Sequence, residues 1–352
     1  MISFEVTVDV TVEAGLGTPL ETAATVYLPA DQSGPRAVLV VYPGSGYNRA
    51  YYDIRTIVGY SQVEHHTDRG LIVISCDHLG LGDSSACDMR DLSLERLAAT
   101  NHATAMAVIA RLRQGTLDPN LAPLEIDTVV GAGQSMGGCL VTVQQANHRT
   151  FDGLALLGWS AIQEVRPERD DGWSELPGLP RDTDLRVVDQ IRAPLSAEER
   201  ARLVQQQMAQ LTYMLHWHED EPLLMAMDLA NLENDKARAN MLAPWRVSDF
   251  PGCCNMMTTR SVIEPEASVI DVPILIACGE VDCVADPRAE PSAYPASRDI
   301  TVTVVPRMAH MHNFAPTREQ LWDRIIDFTH RVAESRSITA GSVTRHAAAA
   351  PL

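Results

Sequence analysis

With 352 residues, the chain is long enough to bury one large α/β core and still carry an inserted subdomain. A formal net charge of −18, with no basic block to offset it, argues against an extended nucleic-acid surface. Seven cysteines lack metal-ligand spacing, and the adjacent pair Cys253-Cys254 is not a C-x-x-C motif, so reduced, mostly buried thiols are expected rather than a secreted disulfide scaffold.

The amino terminus has no basic region leading into an apolar core, and no stretch reaches membrane-spanning length, so a cytoplasmic protein with no membrane partner is expected. Ile2 to Val10 alternates in strand fashion, and Glu21 to Leu28 is a second β-prone run. The turn Gly15-Leu16-Gly17-Thr18-Pro19 between them predicts an antiparallel pair. Ala37-Val38-Leu39-Val40-Val41 is wholly apolar, as a strand covered on both faces requires, and it ends at Pro43-Gly44-Ser45-Gly46-Tyr47. Small residues at the carboxyl end of a parallel strand can turn backbone N–H groups into a ligand crevice. A helix is expected over Tyr51 to His66, then a strand from Leu71 to Cys76. After Ser93 another helix runs to about Arg113, with Ala99, Ala103, Met106, Ala107 and Ile109 as its packing face.

Asp127 to Val130 is the next strand, and it feeds Gly131-Ala132-Gly133-Gln134-Ser135-Met136-Gly137-Gly138. This is the G-x-S-x-G pattern of a sharp strand-to-helix turn. Gly133 and Gly137 keep side chains out of the crowded approaches to Ser135, and the Met136 N–H opens the following helix, where it can stabilise an oxyanion. A further strand is expected at Gly153 to Gly158. Residues 161–270 then change texture. Ser196-Ala197-Glu198-Glu199 introduces an amphipathic helix toward His218, Leu223 to Leu232 forms another, and the whole reads as a mainly helical cap inserted into the core. Residues 1–160 and 271–334 are the two parts of that core. The latter holds strands at Val272 to Cys278 and Ile300 to Val305, and a final helix in which Leu321, Trp322, Ile325, Ile326, Phe328 and Val332 pack inward. Thr317 with Gln320 suggests a capping box for it. Residues 335–352, rich in Ser, Thr and Ala, read as a flexible tail.

Repeated strand, loop and helix favour a doubly wound, mostly parallel sheet. The order Ser135, Asp282, His310, together with the stretch Asp77-His78-Leu79-Gly80-Leu81-Gly82-Asp83-Ser84, resembles the α/β-hydrolase superfamily, and specifically a capped serine hydrolase similar to carboxylesterases. One departure is Tyr42-Pro43-Gly44-Ser45-Gly46, where many members carry a His-Gly pair. The resemblance implies Ser135 as nucleophile, Asp282 as acid and His310 as base, with backbone N–H groups of Met136 and Ser45 as oxyanion donors. Glu280 and Asp286 rival Asp282, and His312 rivals His310 closely. His216 and His218 with Glu219 and Asp220 lack H-E-x-x-H spacing and read as a polar helix end, so neither a metal nor a cofactor is expected. Tyr47, Trp217 and Met225 are candidates to touch substrate. Trp173, Met208, Tyr213, Met214, Met227 and Trp245 are further pocket candidates that core packing would equally explain. The expected partner is a small or medium carboxylic ester or a lactone. Amidase, thioesterase, acyltransferase and carbon–carbon hydrolase activities, and a hydrolase-like ligand-binding module, remain alternatives. Homo-oligomerisation is left open.

Overall fold

The computed structural model describes every residue except 171, 192–195, 231–242 and 349–352; for 190, 191, 197, 200, 201, 204 and 339–348 it describes the backbone alone. The first part of the chain forms β1 (Ile2–Asp9), α1 (Thr11–Ala14), β2 (Glu21–Leu28), β3 (Arg36–Tyr42), α2 (Gln62–Thr67), β4 (Ile72–Cys76), α3 (Leu94–Gln114), β5 (Ile126–Gln134), α4 (Met136–His148) and β6 (Gly153–Leu157). An intervening segment carries β7 (Val165–Pro167), β8 (Trp173–Glu175), α5 (Leu185–Ile191), α6 (Ala197–Leu215), α7 (Pro222–Ala230), α8 (Cys254–Met257) and α9 (Glu264–Ala267). The chain closes with β9 (Ile274–Gly279), β10 (Ile300–Val305) and α10 (Arg318–Ala348).

Eight strands make one sheet in the order β1-β2-β4-β3-β5-β6-β9-β10. The pairs β1–β2 and β2–β4 are antiparallel and the rest parallel, while β7 and β8 form a separate ribbon. Because side chains alternate along a strand, the sheet divides two cores. Val38 and Val40 pack with Leu97 and Val108 of α3 and Leu140 of α4, whereas Leu39 and Val41 pack with Leu321, Ile325 and Phe328 of α10. After β3 the chain lays β4 on one side and β5 on the other. The crevice beyond the carboxyl ends of β3 and β5 is therefore a topological switch point, where open α/β sheets bind ligands. Pairing of Tyr42 with Gly133 sets the loop after β3 beside the end of β5.

The intervening segment is tied by its main chain to three loops at this edge. Val165 N–H donates to the Cys283 carbonyl at 2.9 Å; His310 and Met311 N–H donate to the Met214 and Leu215 carbonyls at 3.1 and 3.0 Å; and Val247 N–H donates to the Gly46 carbonyl at 3.0 Å.

Four local expectations need revision. Residues 53–61 are not helical: a 3₁₀ turn covers Arg49–Tyr52, and α2 starts only after Ser61, whose hydroxyl accepts from Glu64 N–H as its cap and donates to Asp53 at 2.6 Å. Helix α3 buries Ile109 as expected and packs Ala103 and Ala107 partly against the core, but its main buried face is Leu94, Leu97, Ala98, Ala105, Val108 and Leu112, with Met106 41% exposed, because the leucine and valine side chains carry more apolar area than alanines. Thr317 makes no capping box; its hydroxyl donates to the Pro306 carbonyl at 2.7 Å and ties the start of α10 to the end of β10. Finally, α10 continues to Ala348 through the stretch expected to be a tail, where Arg336 pairs with Asp152 and reaches the Asp127 carbonyl. Among the described residues, no helix is long and apolar enough to cross a membrane.

Candidate active site

Ser135 sits between β5 and α4 with φ 52° and ψ −117°, a left-handed conformation that costs a non-glycine residue strain. The neighbouring glycines make the turn sterically feasible. A methyl group at position 133 would collide with the Gly137 carbonyl, and one at 137 with the Tyr42 carbonyl. Ser135 N–H donates to the Leu157 carbonyl at 2.8 Å, and a Cβ on the next residue, Gly158 (φ 57°), would lie 3.1 Å from Asp282 Oδ1 and 3.2 Å from His310 Nδ1. The end of β6 thus joins the serine turn to the loops that carry Asp282 and His310.

Asp282, 6% exposed, receives four hydrogen bonds. His310 Nδ1 lies 2.6 Å from Oδ1 and His312 Nε2 2.9 Å from Oδ2, while Cys283 N–H and Gly279 N–H donate to Oδ1 and Oδ2 at 2.8 Å each. Burial works to raise this carboxyl, but the charge and hydrogen bond of His310, and then those of His312, hold it well below the usual carboxylate range. An ionised Asp282 only accepts, so Nδ1 of His310 carries a hydrogen, and in the neutral ring Nε2 keeps its lone pair. Burial lowers His310, yet Asp282, and then Glu164, bring it above the usual imidazole value. The His310–His312 contest resolves geometrically into different surroundings on one carboxylate. The far nitrogen of His310 faces Gln134, the residue before Ser135, at 3.3 Å, whereas Nδ1 of His312 is buried without a partner.

Glu280 lies at the surface, where its carboxylate accepts from Arg307 N–H, and Asp286 caps Arg288 N–H. Ser45 and Ser135 are both partly open, and neither Ser45 N–H nor Met136 N–H is spent on another described residue. His78, which sequence reasoning passed over, fixes that loop: its Nε2 meets the Pro43 carbonyl at 3.0 Å and its ring stacks on Tyr42.

A cavity of about 760 Å³ borders Gly279 and Asp282 and is walled by His216, Trp217, Met225, Tyr213 and Trp173. Ser135 and His310 do not line it, so it reaches this cluster from the side of Asp282. Tyr47 lies elsewhere, 2% exposed with its hydroxyl donating to Asp228 at 2.7 Å; Trp245 is equally buried and donates to the same carboxylate at 2.7 Å. Met214 and Met227 pack against the core beneath. Both ring nitrogens of His216 are occupied, by Asp220 and Asp228 at 3.1 Å each, and His218 is exposed, so this cluster is an ion-paired network rather than a set of open ligands. Burial lowers His216, but hydrogen bonds to the two aspartates overcome it. Asp282, Cys283 and His310 also offer donor atoms within 4.8 Å of one another. Burial pushes the Cys283 thiol up, so it keeps its proton, and the His310 hydrogen points at Asp282; the group is an acid–base pair beside a neutral thiol. All seven cysteines are free.

No family model matches the chain, and no curated protein matches its sequence. Its fold has many relatives among solved structures. A proline iminopeptidase from Mycobacterium smegmatis is 17% identical with a TM-score of 0.57, the alignment covering 94% of this chain and 99% of that one. A thermophilic esterase from Thermogutta terrifontis gives the same figures. An enol-lactonase from Burkholderia xenovorans LB400 is 18% identical with a TM-score of 0.55, covering 87% of this chain and 96% of the other. What these similarities carry is architecture, and with the mostly parallel sheet and the strained serine turn they lead to one conclusion: the chain has the α/β-hydrolase fold.

Proposed function

We propose that the protein is a serine hydrolase that cleaves small or medium carboxylic esters or lactones through an acyl-enzyme. The observation that carries this reading is the imidazole of His310, held by ionised Asp282 in the tautomer that leaves Nε2 basic and turned toward the segment bearing Ser135. In the reaction, Ser135 Oγ attacks the carbonyl carbon while its proton passes to His310 Nε2. The unspent N–H groups of Ser45 and Met136 stabilise the oxyanion, and the imidazolium then gives its proton to the departing alkoxide. Water attacks the acyl-serine by the same route, returning the proton to Ser135 and releasing the acid. An esterase and an enol-lactonase among the structural relatives agree with this chemistry, and an iminopeptidase among them keeps amide cleavage as its nearest alternative. The intervening segment acts as the cap, with Trp217 and Met225 walling the approach on the Asp282 side.

The test pairs hydrolysis of a short-chain chromogenic ester with fluorophosphonate labelling, in wild type and Ser135→Ala. Turnover and a covalent adduct at Ser135, both lost in the variant, are expected. Equal hydrolysis by the variant, or labelling of active protein only at other residues, overturns Ser135 as the nucleophile, and a wild type that neither hydrolyses the ester nor takes the label favours a ligand-binding module.

A further inference from the structure

The side chain beside the base is not a hydroxyl but the amide of Gln134. It is 1% exposed, and its nitrogen faces His310 Nε2 at 3.3 Å, the His310 carbonyl at 3.0 Å and, more distantly, Met311 Sδ at 3.9 Å. Each amide hydrogen can serve one of them. The opposite orientation would set the amide oxygen against two acceptors, so His310 itself fixes which way the amide points. This orientation leaves Oε1 buried without a donor, a cost that a merely structural glutamine would avoid by turning elsewhere. The oxyanion loop is cut to fit it as well: any Cβ at Gly44 would collide with Gln134 Oε1.

We propose that Gln134 is a positioning residue whose N–H shares the single lone pair of His310 Nε2 in the resting enzyme, keeping the ring neutral, and gives that lone pair up to the Ser135 hydroxyl when the proton is transferred. This rests on the serine-hydrolase reading and adds the regulation of its base. An N–H donor aimed at Nε2 stabilises the neutral ring and opposes the imidazolium, which would have to point its own hydrogen at the amide. The groups facing His310 from other elements pull the opposite way. They are Asp282 after β9 and, once its carboxyl ionises near pH 8, Glu164 before β7; His312 shares Asp282 from the histidine's own loop, and the Cys283 thiol is neutral. Gln134 is the one polar side chain among these with a donor on Nε2. Its position one residue ahead of the nucleophile means that the elbow delivers the nucleophile and the tuner of its base together.

The experiment measures the rate of fluorophosphonate addition to Ser135 from pH 5 to 9 in wild type, Gln134→Met and Gln134→Glu, with circular dichroism as the check on folding. The rate should rise with pH to a plateau as His310 loses its proton. Gln134→Met, of similar volume but lacking the donor, should move the midpoint upward by about half to one pH unit, slowing labelling about three- to tenfold below it while the plateau stays within a few-fold. Gln134→Glu, which sets an acceptor against Nε2, should move it further, with labelling recovered at high pH. Gln134→Met carries the test alone if Gln134→Glu does not fold. Coincident midpoints in folded wild type and Gln134→Met overturn the proposal while leaving Ser135 as nucleophile. Absence of any Ser135 adduct in wild type at every pH overturns the hydrolase reading and this proposal with it.

Discussion

Replacing Glu164 by glutamine should make the protein more stable at alkaline pH and change little in acid. Glu164 is 8% exposed, its Oε1 has no donor, and its backbone bridges Val284 on the acid loop. Burial, opposed by His310 and reinforced by Asp282, Cys254 and Glu290, pushes the carboxyl from an ordinary value of 4.5 up to about 8. The native state therefore keeps a proton that the unfolded chain has released. Below the unfolded value both states are protonated and the group is neutral in its effect. As pH rises through the interval, native stability falls by about 1.4 kcal/mol per pH unit, and the full loss, on the order of 5 kcal/mol before relaxation, is reached near pH 8. Glutamine keeps the shape and removes the titration. Urea unfolding of both proteins at pH 5, 6, 7 and 8 should show the variant gaining on wild type at each step, to at least about 2 kcal/mol at pH 8. Glu290, pushed up to about 7 chiefly by burial, titrates in both proteins, so only its coupling to Glu164 enters the difference. A difference independent of pH would refute the reasoning and mean that Glu164 is ionised and solvated in the native protein.

Asp282→Asn should slow acylation about 10²–10⁴-fold and shift the base's midpoint down in pH, since the negative charge that raises His310 is gone. His310→Ala should lose acylation on the same scale and His312→Ala less than about tenfold, both read by pre-steady-state burst kinetics; collapse in His312→Ala with a normal burst in His310→Ala would exchange their roles. Trp217→Ala and Met225→Ala should alter discrimination among ester chain lengths, at about 0.8 kcal/mol per methylene in contact, with little change for the shortest ester. Equal losses for every ester, together with a lowered Tm, would make the cavity wall structural instead.

The sequence alone determined the alternation of strand and helix, because apolar runs such as Ala37 to Val41 and the inward face from Leu321 to Val332 are local patterns that any sheet covered on both sides imposes. It also marked Ser135, since only glycines at 133 and 137 let β5 turn into α4 at that angle. Register along α3 was read less well: alanines fit either flank of a helix, and only packing against the sheet chose the Leu97–Val108 face. What tertiary structure decided lies in contacts across large sequence separations. Asp282 meets both His310 and His312, which no spacing distinguishes, and the two differ in the ring nitrogen each presents to it and in what reaches the other nitrogen. Tyr47, plausible as a substrate contact beside the oxyanion loop, is buried because Asp228, 181 residues away, takes its hydroxyl. Gln134 fills a variable position of the G-x-S-x-G pattern and Glu164 lies in no motif. Their significance arises only when folding removes water from around them, since an amide or a carboxyl is unremarked in solvent and becomes decisive once its partners are few and the dielectric is low.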